Sequence, residues 1–496
     1  MFLGVDLGAG SLKATIITSS GRVVGEASAE IATARPRVGW AEQDPADWEA
    51  AMAAALRQLA TTVDLKKIEG VSFTGGTHTS VLTDRNGEIV RRPILWSDQR
   101  AGGEAAELNA RFEQRLIKIA YNRAAATWSI SPLYWLKKND RESVERTAHV
   151  QFAKDWLRSR LTGDLVTDRI DAQGTLMLRG DNFQWSDELV DLIGWNKATL
   201  PEVREPTDRA GSVSAGAASK FGLKQGTPVF VGTCDTAAET WGAGAISTGD
   251  AVIKLATAGV VSVMVDRPFL QPEIAYKSYV VPGSGYVLGA INSCASAHKW
   301  LRNLLVGADS GSKGFAMLDQ EAASAPAGAD GVLFHPYLQG ERAPYWDPKL
   351  RADFLGMTMS HGRGHLTRAF YEGVAFALRD ASSPFMAAGL KIGQASLIGG
   401  GAKSDLWAKI IADVFQIPIS KPLHGDASFA AALLAGVGAG AFADTRDAVT
   451  QTMKLSLTIE PDNNNRDLYD QAFAGYKKSK ILLTDLNHEI SSRVNK

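Results

Sequence analysis

The feature that constrains the fold most is a pattern of strands and turns that occurs in both halves of the chain. Residues 2–17 and 251–265 each consist of an apolar strand, a turn of small residues and a second apolar strand, FLGVDLGAGSLKATII and AVIKLATAGVVSVMV. Each half also has an apolar strand that leads through a turn into a helix, at residues 227–242 and 395–410. This recurrence indicates a degenerate internal duplication of one mixed α/β unit.

The length of the chain agrees with two such units, because 496 residues exceed what one hydrophobic core usually supports. A glycine-rich stretch, residues 242–249, lies between the halves and is the best candidate for a boundary or hinge. We therefore predict an N-terminal domain over residues 1–244 and a C-terminal domain over residues 245–496. The second domain is expected to end in a helix over about residues 466–483, followed by a frayed polar segment, residues 487–496.

Composition and charge exclude several classes of partner. The chain has 53 Lys and Arg against 54 Asp and Glu, and no basic run that would bind a nucleic acid backbone. It begins with no signal-peptide pattern and contains no stretch apolar enough to span a bilayer. Its only cysteines, Cys234 and Cys294, cannot form a disulfide framework or a Cys-rich metal site. We expect a folded cytoplasmic protein with no nucleic acid or membrane partner.

Three turns are candidate phosphate-binding loops. The first, DLGAGSLK, joins Asp6, a carboxylate suited to magnesium, to Gly8 and Gly10, whose missing side chains let backbone N–H groups approach a phosphate. The second, ATAG, adds the hydroxyl of Thr257, and the third, GGGAKSD at residues 399–405, opens a helix whose free N–H groups attract anions. Each turn taken alone also fits an ordinary tight turn that needs glycine for steric reasons.

Two further side chains follow apolar strands, where ligand-binding residues of open sheets are found. Asp235 follows PVFVGTC and could accept a hydroxyl proton, or it could cap a helix that begins near Ala237. His78, in GTHTS, could hydrogen-bond a sugar hydroxyl, or it could be a core histidine with its hydrogen bonds satisfied.

Several known nucleotide-binding and metal-binding motifs are missing from the sequence. No glycine is followed by Lys-Ser or Lys-Thr, which excludes a Walker A loop, and no GxGxxG follows a strand, as a Rossmann dehydrogenase would require. There is no HExxH motif and no cluster of Cys and His for a metal site.

Taken in order, the motifs DLGAGSLK, GTHTS, ILWSDQR, GTCDTAAE, LATAG, PYLQGERAP and LIGGGAKSDLW resemble the FGGY family of carbohydrate kinases, and most closely its xylulose kinase branch. The resemblance extends over most of the chain. It implies an α/β fold of two actin-like (ribonuclease H-like) domains that flank a deep interdomain cleft for ATP and sugar.

The resemblance also implies a role for individual residues. Asp6 matches the magnesium-associated aspartate, Asp235 matches the catalytic base and His78 matches a sugar contact. The positions implied to bind ATP are Gly8, Ala9, Gly10, Ser11 and Lys13 in the first phosphate loop, Thr257 in the second, Gly400 and Gly401 beside the adenosine, and Asp405 in the adenine region.

The sequence departs from the family pattern where specificity and phosphate binding are set. Thr77 and Thr236 stand where xylulose kinases generally have methionine and asparagine, and we count both among the substrate-contacting residues. Ala9 replaces a usual threonine or serine, and Ala256 a usual glycine. These changes bear on the acceptor and on the rate of phosphate transfer rather than on the class of reaction.

The function that the resemblance implies is transfer of the γ-phosphate of MgATP to a hydroxyl of a small sugar or polyol, with a xylulose-like ketose favoured. The alternatives are a kinase of another substrate of the family, such as ribulose, gluconate, erythritol or glycerol, and an actin-like ATPase with no sugar substrate. A homodimer is a candidate assembly.

Overall fold

The computed structural model describes residues 1–494 and divides the chain into two compact units. The first unit contains three segments, Met1–Ile246, Asp266–Tyr286 and His424–Met453, and the second contains the remaining residues. Two of these segments follow residue 244 in the chain and nevertheless belong to the first unit. The expected division at residues 244 and 245 stays a prediction.

The chain forms twenty strands within the described residues. In chain order they are β1 (Phe2–Leu7), β2 (Ser11–Ile17), β3 (Val23–Glu30), β4 (Gly70–Gly75), β5 (Ser80–Thr83), β6 (His149–Phe152), β7 (Val166–Asp168), β8 (Glu202–Arg204), β9 (Arg209–Ser212), β10 (Pro228–Phe230), β11 (Thr233–Cys234), β12 (Asp250–Leu255), β13 (Gly259–Val265), β14 (Ala275–Ser278), β15 (Gly285–Ile291), β16 (Leu333–His335), β17 (Asp353–Leu355), β18 (Gln394–Ile398), β19 (Ile419–Pro422) and β20 (Leu455–Ile459).

Seventeen α-helices accompany these strands in the same part of the chain. They are α1 (Pro45–Leu59), α2 (Gly102–Ala120), α3 (Ile130–Asn139), α4 (Arg141–Arg146), α5 (Ala153–Thr162), α6 (Arg169–Gln173), α7 (Asp187–Asp191), α8 (Ala215–Phe221), α9 (Asp235–Gly242), α10 (Ala295–Val306), α11 (Gly311–Ser324), α12 (Arg363–Ala381), α13 (Ser383–Ala387), α14 (Asp405–Phe415), α15 (Ala427–Gly438), α16 (Thr445–Thr452) and α17 (Arg466–Val494).

The sheet of the first unit has the strand order β3–β2–β1–β4–β10–β9, with β11 also paired to β4. The first three strands form the antiparallel meander that their alternation of strand and turn indicates, whereas β4 runs parallel to β1. Helix α1 packs on β2 and β3, and α15 packs on β1, β2 and β4. A Cβ atom on Gly4 would overlap Ser428 O and Ala432 N, so this glycine permits the close approach of α15 to the sheet.

The second unit repeats this arrangement. Its strands lie in the order β15–β13–β12–β18–β19–β20, in which β12 and β13 form an antiparallel hairpin and β18 runs parallel to β12. The order β2–β1–β4 of the first unit thus corresponds to β13–β12–β18 of the second. The shared topology agrees with the expected internal duplication and with the expected α/β class.

The C-terminal helix is longer than its apolar pattern indicated. Helix α17 continues to Val494, so the expected frayed segment from residue 487 is wrong for residues 487–494, and residues 495 and 496 lie outside the described residues. The polar residues there make tertiary contacts instead. His488 Nε2 lies 2.7 Å from Asp347 Oδ2, and Ser491 Oγ donates to Lys349 O at 2.7 Å. No helix within residues 1–494 is both long enough and apolar enough to cross a membrane.

Candidate active site

Three parallel strands of the first unit end side by side and carry the predicted residues at their carboxyl ends. In the sheet register, Asp6 of β1 and Thr233 of β11 both pair with Thr74 of β4. The chain therefore leaves these strands at one edge, through the Gly8–Gly10 turn, through residues 76–78 and through Asp235. This edge is where open parallel sheets bind ligands.

Asp6 lies among several acidic side chains at this edge. Its Oδ1 atom accepts a hydrogen bond from Thr74 Oγ1 at 3.0 Å. Burial raises the pKa of Asp6 to about 8, and the negative charges of Asp235, Glu239 and Asp426 contribute to the rise. The negative charge of Asp6 is therefore disfavoured in the ligand-free protein, and a cation beside it would offset that effect.

A magnesium ion at this cluster would need ligands besides the carboxylates. Within residues 1–494, no group of three or more His, Cys, Asp or Glu side chains is arranged to hold a metal ion by itself. Magnesium usually keeps several waters and binds through one or two carboxylates together with phosphate oxygens of a substrate. Asp6, a carboxylate whose charge is poorly compensated, fits that mode of binding.

Lys13 is held beside this cluster by two carboxylates. Its Nζ lies 2.7 Å from Glu26 Oε1 and 2.9 Å from Asp426 Oδ2. Burial disfavours its charge, but Asp426 and Glu26 outweigh that effect, so the pKa of Lys13 is raised. Asp426 also caps α15 by accepting from the backbone N–H groups of Ser428 and Phe429, so Lys13 is connected to a helix terminus.

The first glycine turn leaves space on its outer side. Gly8 N donates to Ser11 O at 3.0 Å and closes the turn between β1 and β2. A Cβ on Gly8 would lie 3.0 Å from Ser11 O, whereas a Cβ on Gly10 would meet no heavy atom within 4 Å. Ala9, Gly10 and Ser11 are exposed. The outer side of the turn therefore has open space, and its binding of a phosphate stays a prediction.

Asp235 is half-buried and is the first residue of α9. The helix begins earlier than expected, and its N-cap is Cys234, which makes no side-chain capping bond, so Asp235 does not cap a helix that begins near Ala237. Its Oδ1 atom accepts from Thr236 N at 2.6 Å and from Thr236 Oγ1 at 3.1 Å. These bonds fix the carboxylate and leave Oδ2 as the oxygen that could accept a proton.

His78 is a buried histidine with one ring nitrogen hydrogen-bonded, and its contact with a sugar stays a prediction. The residue is buried with a φ of 72°, its ring stacks on Trp128 at 4.8 Å, and its Nδ1 lies 2.8 Å from Gly174 O. Burial and the positive charge of Lys277 hold the pKa of His78 well below its usual value. The neutral ring therefore donates from Nδ1 to the carbonyl, and Nε2 is the ring nitrogen that can accept a hydrogen bond.

Four residues beside these side chains had no part in the sequence interpretation. Glu239 follows Asp235 by four residues on α9, so helical periodicity could have placed it on the same face. Asp426 and Lys277 lie in the two segments that join the first unit from later in the chain, and no local pattern indicates them. Trp128, which stacks on His78, is likewise brought in by tertiary packing.

In the second unit, the turns that contain Thr257 and Gly400 lie at the ends of the paired strands β12 and β18. Thr257 is exposed, and its carbonyl oxygen accepts from Ser296 Oγ at 2.7 Å. A Cβ on Gly401 would lie 2.7 Å from Leu255 Cβ, whereas a Cβ on Gly400 would meet no heavy atom within 4 Å. The structure thus brings the second and third predicted loops to one edge of this sheet.

Asp405 is exposed, as Thr257 and Gly400 are. It begins α14, its side chain is 73% exposed, and Oδ1 accepts from Lys421 Nζ at 2.5 Å. Ser404 caps the same helix by accepting from Trp407 N. The helix start is therefore well defined, and Asp405 lies at its solvent-facing end.

Comparisons with known proteins extend over almost the whole chain. Models of the FGGY family of carbohydrate kinases match residues 1–242 with the N-terminal domain and residues 251–439 with the C-terminal domain. The xylulose kinase of Bacillus subtilis is 30% identical over 496 residues, which cover 99% of this chain and 98% of that protein.

Solved structures agree with this match. A crystal structure titled a xyloylose kinase from Brucella ovis has a TM-score of 0.90, with 32% identity and coverage of 98% of this chain and 99% of that one. A gluconate kinase from Lactobacillus acidophilus also reaches 0.90, with 27% identity and 97% coverage of both chains. The expected fold class, α/β with two actin-like domains, is confirmed by these matches.

Proposed function

The chain belongs to the FGGY family of carbohydrate kinases and is an ATP-dependent sugar kinase with a hydroxyl acceptor, and we propose that the acceptor is a xylulose-like ketose whose proton passes to Asp235. The relatives named above support the ketose, because two of the three carry a xylulose-type name. The observation that carries the proposal is the carboxylate of Asp235, which is half-buried, held by hydrogen bonds and close enough to Asp6 to raise the pKa of Asp6.

In the proposed reaction, a hydroxyl of the ketose donates its proton to Asp235 Oδ2 as its oxygen attacks the γ-phosphorus of ATP in line. The bond between the γ-phosphorus and the β,γ-bridging oxygen breaks, and ADP leaves. Phosphoryl transfer needs little covalent chemistry from the protein, so orientation and charge neutralisation supply most of the rate enhancement. The hydrogen bonds from Thr236 orient the base, and His78 Nε2 accepts from a second hydroxyl of the sugar.

The remaining predicted residues would bind MgATP. A bound magnesium ion would neutralise charge on the phosphate oxygens, and Asp6 is the carboxylate that would hold it. The backbone of residues 8–11 and the Lys13 ammonium would contact phosphates, and Thr257 would add a hydroxyl. Gly400, Gly401 and Asp405 would border the adenosine.

We further propose that the protein is cytoplasmic and forms a homodimer. Size-exclusion chromatography with light scattering would test the homodimer.

The test of the base is Asp235→Asn, which keeps the shape of the side chain and removes its basicity. With xylulose and saturating MgATP, we expect ADP release to fall by at least about 100-fold, the usual contribution of a general base. Asp187→Asn, on an exposed side chain paired with Lys197, is the matched control and should keep normal turnover. Near-normal turnover of folded Asp235→Asn would exclude the assigned base.

The acceptor itself is tested by a panel of pentuloses, hexuloses, polyols and aldonates, with ADP release as the readout. The highest kcat/KM is expected for a pentulose. A higher value for an aldonate would favour the activity after which the Lactobacillus acidophilus relative is named, and ATP hydrolysis with no response to any acceptor would favour an actin-like ATPase.

A further inference from the structure

Lys277, in β14, is a buried cation with few partners. Its side chain is 2% exposed, and its Nζ donates one hydrogen bond, to Thr77 Oγ1 at 3.0 Å. Nζ also lies 5.3 Å from the centre of the Trp128 ring. Across the described residues, no carboxylate oxygen lies within 4.0 Å of this ammonium. Buried charges are normally paired, and an ammonium has three protons to donate.

Asp171 is the complementary case, a buried carboxylate that accepts no hydrogen bond. It is 1% exposed, and neither of its oxygens has a hydrogen-bond partner. Its nearest cation is Lys154, with Nζ 3.7 Å from Oδ2. Burial raises the pKa of Asp171 to about 7, and neighbouring carboxylates contribute to the rise while Lys154 and Lys277 oppose it.

Two more unpartnered polar atoms lie on the same two elements. Gln173 of α6 accepts from Ser278 N of β14 through Oε1 at 2.6 Å, which ties the helix to the strand. Gln173 Nε2 and Ser278 Oγ are both buried without a partner. Nearly all buried polar groups in folded proteins are hydrogen-bonded, so this concentration of unsatisfied atoms requires an explanation.

These atoms border the predicted sugar residues of the first unit. Lys277 contacts Thr77, the residue before His78, and Asp171 lies three residues before Gly174, whose carbonyl accepts from His78. A Cβ on Gly174 would lie 3.0 Å from both Asp171 O and the His78 ring, so the Asp171–Gly174 turn packs directly on that ring.

We propose that Lys277 and Asp171 bind the acceptor as a pair and that Lys277 determines specificity for a neutral ketose. Lys277 would donate to the carbonyl oxygen or a hydroxyl oxygen of the sugar, and Asp171 would accept from the adjacent hydroxyl. An ammonium has only donors and a carboxylate only acceptors, so the pair matches an α-hydroxy carbonyl group, in which one oxygen lacks a proton and its neighbour carries one. This inference rests on the proposed function and deepens it.

The charges around the pair favour a neutral acceptor over a sugar acid. On the Asp171 side of the pair, three buried carboxylates, those of Asp155, Asp168 and Asp171, share the ammonium of Lys154, and Asp155 also pairs with Arg158. The carboxylate of an aldonate bound against Asp171 would add a further negative charge to this buried group, where like charges repel strongly. A ketose adds none.

The test compares wild type, Lys277→Gln and Lys277→Met for ADP release with xylulose at saturating MgATP. We expect Lys277→Met to raise the KM for xylulose by at least about tenfold, the usual effect of losing a hydrogen bond to a charged group. Lys277→Gln keeps an N–H donor and should lose less. The kcat and the KM for ATP should stay within about threefold, since the lost contact is present before and during transfer.

Lys220→Met is the matched control, because Lys220 is an exposed lysine paired with Glu49, and its kinetic constants should equal those of wild type. Thermal melting establishes which variants fold. If Lys277→Met does not fold, the KM of Lys277→Gln for xylulose tests the proposal. Folded variants of Lys277 with an unchanged KM for xylulose would exclude the proposed role of Lys277 in binding the acceptor. If wild type prefers gluconate and Lys277→Met loses that preference, the proposal that Lys277 selects a neutral acceptor is wrong.

Calorimetric titration of xylulose separates this inference from the proposed function, because binding needs no turnover. If wild type binds xylulose and the Lys277 variants bind it at least about tenfold more weakly, the pair is supported even when no ADP forms. Equal affinities would overturn it, whatever the outcome of the turnover assay.

Discussion

Replacing Asp6 with asparagine should stabilise the ligand-free protein at alkaline pH while it removes activity. The carboxylate is surrounded by Asp235, Glu239 and Asp426, and its pKa is raised from 3.8 to about 8. A raised pKa means that the native state holds the proton more tightly than the unfolded state does. The contribution of Asp6 to stability is therefore complete below about pH 4 and is lost as the pH rises through 8.

The magnitude follows from the interval between the two pKa values. Each pH unit over which the native state is protonated and the unfolded state is not changes the free energy of unfolding by about 1.36 kcal/mol. From pH 5 to pH 8 this amounts to about 3.5 kcal/mol at most, because the group is half-ionised at the upper end. The side chain is partly exposed, and water reduces the effect, so we expect about 1–3 kcal/mol.

The assay is urea unfolding of wild type and Asp6→Asn at pH 5 and pH 8, in EDTA. Asparagine is isosteric and can still accept from Thr74, so the stability of the variant relative to wild type should be higher at pH 8 than at pH 5 by the amount given above. Mg²⁺ with ATP should then stabilise wild type and not the variant. A difference in stability that is the same at both pH values would refute the reasoning.

Two pairs of glycine substitutions test the packing of each unit. Gly4→Ala should lower the free energy of unfolding by about 3 kcal/mol or more, because the new methyl group overlaps the backbone at Ser428. Gly216→Ala, in open space on α8, is the control and should change the free energy of unfolding by less than about 1 kcal/mol. Urea titrations measure both. Equal effects would contradict the packing of α15. Gly401→Ala should lower the free energy of unfolding by about 1–3 kcal/mol and raise the KM for ATP. Gly400→Ala, whose new methyl group meets no heavy atom, should leave the free energy of unfolding within about 0.5 kcal/mol of wild type. A larger loss for Gly400→Ala than for Gly401→Ala would contradict the turn geometry.

The parts of the fold that the sequence predicts are those with a local pattern. The hairpins at residues 2–17 and 251–265 alternate short apolar runs with small-residue turns, and both form as expected. Asp6 and Asp235 were placed at strand ends for the same reason, since an apolar run followed by a polar residue marks a strand terminus. Their proximity then follows from parallel pairing of the strands with β4.

The residues that the sequence did not predict come from tertiary packing between distant segments. Lys277 and Asp426 enter the first unit from segments 266–286 and 424–453, which lie in the half of the chain expected to form the other domain. Neither residue has a neighbour in sequence that indicates its partner. Lys277 contacts a residue 200 positions away, and Asp426 contacts one 413 positions away, so no window of periodicity includes both members of either pair.

The two buried acidic regions of the first unit share a physical logic. Asp6 and Asp171 both have raised pKa values because burial and neighbouring carboxylates disfavour their charge, and each contributes less stability at neutral pH than an uncharged residue of the same shape would. A fold retains such residues where a ligand supplies what is missing. Around Asp6 the missing element is a cation, and around Asp171 it is an O–H donor, so the first unit would select for both a metal-bound nucleotide and a neutral polyhydroxy acceptor.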